Sequence, residues 1–295
     1  MRMGFSVRTL LIAYCTCSFF DGHAAIAEAI HYDVLFTSGS GTLLTGGYDD
    51  AGNNGIAPLR VFSGEVVGAG TAGPYESAEE PGFRAPNQAF LNSSAMTPSG
   101  VFTALPGNTD LFFNLVPMTI NGSSRNLFFW NGSGPVNFAA LPASYQLGLV
   151  GDFGTAAITG STSEVTANFL LKKTSADGSL DPGHPHLTTQ IADAGDAPAQ
   201  GFYLFAMQFN MAGLSSSAPA YFVYGAYDAN SPPDFVTFDA AHAEAEAWVE
   251  NNLAAVPEPS SLALAGLGAA GVLTAGWGRR RRAAAQNSVL ADIAR

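Results

Sequence analysis

Glycine and proline interrupt this chain so often that a long helix has no room over most of its length. There are 33 Gly and 17 Pro in 295 residues. Between them lie short runs rich in Val, Phe, Tyr, Thr and Leu, residues that suit a pleated, half-buried surface. The spacing predicts strands near 31–37, 42–46, 59–68, 99–104, 110–121, 125–130, 135–139, 155–159, 164–173, 186–192, 201–210 and 219–227. Two turns are chemically explicit. Asn121-Gly122 separates LFFNLVPMTI from RNLFFW, and Asn131-Gly132 separates RNLFFW from PVNFAA. Asn-Gly tolerates the positive φ angles of tight hairpins, which predicts a meander over 110–139. Many short strands at this spacing imply an all-β body, a β-sandwich or jelly-roll-like arrangement. No internal repeat is evident, which weighs against a solenoid or propeller.

One segment departs from this pattern. In FDAAHAEAEAWVENNLAAV, Ala is frequent and Trp248, Val249 and Leu253 fall at helical spacing, with Asp239 placed as an N-cap. This predicts one C-terminal helix over 240–253, packed on an open end or face of the sandwich with Trp248 as its anchor. His242 is expected to be a solvated residue on that helix.

The two ends of the chain read differently from its middle. Arg2 and Arg8 precede an apolar run from Thr9 to Phe20, and Ala25-Ile26-Ala27 offers a small-x-small cleavage site before Glu28, so residues 1–27 are expected to be a secretory signal peptide. Both cysteines, Cys15 and Cys17, fall inside it, and Tyr14 before Cys15 departs from a lipoprotein signal. The exported body is then free of cysteine, and disulfides, thiolate nucleophiles and thiolate metal sites drop out together. The whole chain carries −12, and residues 28–255 hold five basic residues (Arg60, Arg84, Arg125, Lys172, Lys173) against 21 acidic ones. Such a surface repels phosphate backbones, which excludes nucleic acid as a partner and suits cations.

At the other end, residues 261–278 carry no charge and are rich in Ala, Leu and Gly. Their length is at the short end of the roughly 17–25 residues that span a hydrocarbon core. Arg279, Arg280, Arg281 and Arg282 follow directly and would hold that end on the cytoplasmic side, leaving the body outside the inner membrane. From physics alone this is either a permanent one-span anchor or a transient one. The order Val256-Pro257-Glu258-Pro259, apolar run, arginine block closely resembles the bacterial PEP-CTERM sorting signal, also called the ice-binding protein C-terminal domain. That resemblance implies that signal peptidase and an exosortase are partners. The precursor would be anchored in the inner membrane by 261–278, and the body then released to the cell surface or extracellular matrix. Residues 256–282 would form the signal and 283–295 a short cytoplasmic tail.

Chemistry-bearing residues are sparse. His184 and His186 stand two apart in SLDPGHPHL, so in an extended chain both imidazoles point to one side, where they suit a single divalent metal. His31 and Asp33, also two apart, are the candidates for a third and fourth ligand. The alternative is a polar, proline-stiffened loop and an edge strand. The loops 48–54 and 177–181 hold carboxylates and amides of the kind calcium prefers, but neither has the full spacing of a calcium loop, and turn chemistry explains both as well. There is no G-x-S-x-G elbow, H-E-x-x-H or phosphate-binding glycine loop, so no catalyst is expected. Phe202 to Phe205 and Tyr221 to Tyr224 suit strands packed in a core better than a sugar platform.

The stretches HYDV, LLTGGYDD, RVFSGEV, LFFWNGSG, PHLT, GFYLFAMQF and AEAWVENNL look like a group of exported PEP-CTERM proteins, some of which are under zinc-responsive control and carry a histidine-rich N-terminal segment. This chain lacks that tract. The expected function is a surface or matrix protein of structural or interaction type, in contact with surface polysaccharide or matrix proteins. A zinc- or calcium-binding surface protein is the alternative, and a carbohydrate-binding module or hydrolase comes third.

Overall fold

A computed structural model describes residues 32–49, 51–68, 73–77, 81–151, 156–180, 185–194 and 196–254. In chain order the strands are β1 (Asp33–Gly39), β2 (Thr42–Asp49), β3 (Asn54–Ile56), β4 (Val61–Gly68), β5 (Tyr75–Glu76), β6 (Phe83–Arg84), β7 (Met96–Thr97), β8 (Asp110–Leu115) and β9 (Met118–Ile120). They continue as β10 (Ser123–Arg125), β11 (Phe128–Trp130), β12 (Ala139–Ala140), β13 (Tyr145–Gly151), β14 (Ala156–Gly160), β15 (Thr166–Lys173), β16 (Leu187–Asp193), β17 (Gly201–Met211) and β18 (Ala220–Asp228). A single helical turn, α1 (Gln88–Leu91), follows β6, and the helix α2 (Phe235–Val249) follows β18.

The smaller sheet runs β6-β1-β2-β3-β7, and the larger runs β12-β11-β17-β18-β4-β5-β16-β13-β14, with β8 paired to β17 and carrying β15. The two sheets share one core. Val34, Phe36 and Leu43 of the small sheet are buried with Leu111, Phe113, Phe205, Phe209, Phe222 and Tyr224 of the large one, and the Phe36 and Phe209 rings meet edge to face at 4.7 Å. This is the all-β, sandwich-like body expected, but with a third layer.

That layer explains why β17 and β18 read as almost unbroken apolar runs. Tyr203, Phe205, Met207 and Phe209 face the shared core, whereas Phe202, Leu204 and Ala206 face the other way, with Tyr221 and Val223, onto Phe238, Ala245 and Val249 of α2. Strands buried on both faces lose the apolar–polar alternation of a half-exposed sheet. Each enclosed aromatic adds about 1.5–3 kcal/mol. The aromatics weighed as a sugar platform are therefore interior: Phe202, Tyr203, Phe205, Phe222 and Tyr224 are all at most 1% exposed.

Several boundaries differ from those expected. Asn121-Gly122 is a tight turn with both residues at positive φ, but it joins only β9 to β10, because Pro117 separates that hairpin from β8. Residues 110–139 are thus no continuous meander. At Asn131-Gly132 only Gly132 has positive φ. The Asn131 side chain instead accepts from the Ser133 N–H, giving a longer loop before β12. Residues 99–104 form no strand and contribute a single bridge, Thr103 to Ser38. Helix α2 starts five residues earlier than the sequence pattern suggested, capped by Asp234, whose carboxylate accepts from the Val236 N–H, and not by Asp239.

On α2 the anchors are Phe238, His242, Ala245 and Val249, with Trp248 only half-buried against Phe138. His242 is 2% exposed, contrary to its expected place in solvent. Its Nε2–H donates to the Val223 carbonyl at 3.0 Å, and the ring lies beside Phe202. Among the described residues no helix is long and apolar enough to cross a membrane. Residues 1–27 and the 261–278 span lie outside the described residues.

Candidate functional site

The metal-ligand candidates fall where the small sheet meets the segment leading into β16. Asp33 opens β1, and β6 lies parallel beside it, Val34 opposite Phe83. One carboxylate oxygen of Asp33 accepts from the Gly82 N–H at 2.8 Å and the other from Arg84 Nε at 2.8 Å. On the far side of this short strand, Gly82 bridges to His186, and the Phe83 N–H donates to the Pro185 carbonyl. The fold therefore brings Asp33 and His186 to opposite flanks of Gly82, across more than 150 residues of sequence. His31 and His184 lie outside the described residues. Among those described, no three His, Cys, Asp or Glu side chains gather as a metal-holding group. A cation at Asp33 would have to compete with the Arg84 ion pair.

Arg84 links this corner to a cleft. Its guanidinium lies 4.6 Å over the Tyr48 ring, whose residue is the cross-strand partner of Asp33. The cleft holds about 210 Å³ and is lined by Leu35, Tyr48, Arg84, Pro86, Asn87 and Phe90 with Ala85 and Leu180. Asn87 is tied to the α1 turn by accepting from the Phe90 N–H. The Tyr48 hydroxyl is hydrogen bonded to Asn53. The wall is thus two aromatic rings, an arginine already paired with a carboxylate, and an amide.

In the described parts of the acidic loops, the carboxylates of Asp49 and Asp177 make turn hydrogen bonds. Asp49 accepts from the Ala51 N–H at 2.9 Å. Asp177 accepts from both the hydroxyl and the N–H of Ser179, at 2.7 and 3.1 Å, and these bonds hold its carboxyl below the ordinary aspartate value. Tyr203 shows the opposite effect: burial pushes its phenol far above the usual range, and it donates to the Ala199 carbonyl at 2.7 Å.

A second functional location lies where the body ends. Helix α2 passes into a wider turn, Glu250–Ala254. Arg60, just before β4, donates from Nε to the Pro219 carbonyl at 2.9 Å and from Nη1 to the Ala254 carbonyl at 3.2 Å, with its guanidinium 5.4 Å from the Tyr221 ring centre. The Tyr221 hydroxyl donates to the Leu253 carbonyl at 3.1 Å. The last turn of the body is therefore held by β4 and β18, and a cation sits at the negative end of the helix. Immediately beyond, residues 255–282 match the family model of the PEP-CTERM protein-sorting motif. The chain carries a PEP-CTERM sorting signal. The match takes in Val256, Pro257, Glu258, Pro259 and Arg279 to Arg282. The PEP-CTERM motif implies export, processing by an exosortase and delivery to the cell surface. No curated protein and no solved structure matches the chain.

Sequence reasoning found the sorting signal and missed Arg60 and Arg84. Each acts through contacts made only after folding: Arg84 with Asp33 and Tyr48, and Arg60 with Pro219 and Ala254.

Proposed function

We propose that the body works outside the cell as a non-catalytic structural or interaction module of the surface or matrix. Signal peptidase would remove residues 1–27, and residues 261–278 would hold the precursor in the inner membrane until an exosortase acts. The observation that supports this is the junction: an acidic, three-layer body whose last turn is pinned by Arg60 meets a PEP-CTERM motif at the next residue. The test is fractionation of native cells carrying the full chain with an epitope after Arg295. The body is expected at the surface without the epitope, and in cells lacking exosortase it should stay in the membrane with the epitope attached. Surface protein that keeps the epitope would contradict the proposal.

Metal binding is the second reading; it rests on the His-x-His and His-x-Asp pairs of the sequence and on the likeness of the body to a zinc-responsive group of PEP-CTERM proteins, while Asp33 and His186 themselves lie on opposite flanks of Gly82 and Asp33 is paired with Arg84. Zinc or calcium retained through dialysis by the intact body, and lost in the His184→Ala/His186→Ala variant, supports it. Sub-stoichiometric metal in both proteins removes it.

A further inference from the structure

The outer face of the large sheet is buried along only part of its length. On β17, Phe202, Leu204 and Ala206 face α2, but Gln208 and Asn210, next in the same alternation, are only half-buried. Their cross-strand partners on β8 are Asn114 and Phe112. These point the same way and are also half-buried, since Leu111, Phe113 and Leu115 face the core. Strand β15 adds Leu170, which pairs with Phe112 and is 38% exposed. Leu170, Phe112 and Asn210 thus form one row across three strands, and Asn114 stands opposite Gln208 in the next. The fold fixes these two amides from behind. Asn114 Oδ1 accepts from the N–H of Asn168, a residue of positive φ at a register shift in β15, at 2.7 Å. Gln208 Nε2 donates to the Ser217 carbonyl at 3.0 Å. With those atoms committed, what is left is the NH2 of Asn114 and the oxygen of Gln208, a donor and an acceptor on directly opposed residues. Asn210 Nδ2 has no hydrogen-bond partner among the described residues.

We propose that this part of the β15–β8–β17 face binds a neutral polysaccharide, with a sugar ring lying on Phe112 and Leu170 and its hydroxyls bridging Asn114 Nδ2 and Gln208 Oε1. It rests on the reading of the body as a surface interaction module and gives that module a ligand class. A hydroxyl both donates and accepts, so neighbouring hydroxyls on one ring match the amide pair, and the C–H face of the ring matches the apolar row. Charge points the same way. Neither row contains a charged side chain, and Asp110 and Lys173, cross-strand partners at the start of β8, offset each other. A polyanion would meet a body with five basic and 21 acidic residues between 28 and 255. An extended peptide suits a free strand edge better than a pleated face.

Isothermal titration tests this with the full chain, purified from a host lacking exosortase in a detergent without a sugar head group. The probes are neutral hexamers of glucose, mannose and N-acetylglucosamine, with a galacturonate hexamer and an uncharged peptide as controls. At least one neutral hexamer is expected to bind. Asn114→Asp keeps the acceptor for the Asn168 N–H and turns the outward donor into an acceptor, so it should weaken binding about tenfold or more at an unchanged urea midpoint. Leu170→Lys should weaken binding similarly. No binding by any neutral hexamer, unaltered binding in both variants, or preference for the uronate or the peptide overturns the site, even with the body delivered to the cell surface. Reducing sugar released from a bound hexamer contradicts the non-catalytic reading and leaves the site standing.

Discussion

Arg60 Nη1 donates to the carbonyl of Ala254, 194 residues away in sequence and 3.2 Å away in space. With the Tyr221 hydroxyl on Leu253, this bond makes the C-terminal turn part of the body and not a frayed helix end. Removing the guanidinium leaves two carbonyls to find other donors, so Arg60→Ala is expected to cost about 1–3 kcal/mol. Amide exchange should quicken across 250–254 and stay unchanged in β17. Equal protection in both proteins would refute the clamp.

Asp33, Arg84 and Tyr48 form one unit, because the carboxylate fixes the guanidinium that covers the ring. Arg84→Ala and Asp33→Ala should each destabilise the body by about 1–3 kcal/mol. In a double-mutant cycle they should couple by about 1 kcal/mol, since neither loss can be taken twice. Additive effects by urea denaturation would show the pair to be incidental.

Gly225 faces helix α2, and a Cβ there would lie 2.7 Å from the Phe238 ring. Phe238 is itself wedged against Phe202 and Tyr227. Gly225→Ala is therefore expected to lift the helix off β18 at a cost of about 1–3 kcal/mol, read as a lower urea midpoint with faster exchange in α2. An unchanged midpoint would mean that the helix yields freely.

The Ser179 hydroxyl and N–H stabilise ionised Asp177, holding its carboxyl below the usual aspartate value. The sign follows: a depressed carboxyl favours the folded turn at pH above the unfolded value, and that contribution is lost as pH falls through the lower folded value. Carbon-detected NMR titration should show Asp177 ionising below a free aspartate and moving upward in Ser179→Ala. No movement would assign the shift elsewhere.

The sequence made the strands legible where local chemistry decides them. The near-continuous apolar runs of β17 and β18, and the Asn121-Gly122 turn, depend on residues a few positions apart. The three-layer arrangement was harder to read. An unbroken run such as FYLFAMQF fits burial on both faces, but nothing local says that α2 supplies the second cover. His242 looked solvated because its neighbours on the chain are Ala and Glu, whereas its place beneath Val223 and Phe202 comes from the β18 pairing. For the candidate site, the His-x-His and His-x-Asp spacings named Asp33 and His186 but said nothing of how they lie in space, on opposite flanks of Gly82. The Arg84 ion pair that occupies Asp33 needed the parallel β1–β6 contact to be seen.

The central claim is that this acidic body is exported and then cut free at the PEP-CTERM motif directly beyond Ala254. Intact mass spectrometry of the protein recovered from the surface of native cells tests it most directly. The predicted product begins at Glu28 and lacks Arg279 to Arg282. A full-length mass with the leader uncut, or a surface form that retains the arginine block, would contradict it.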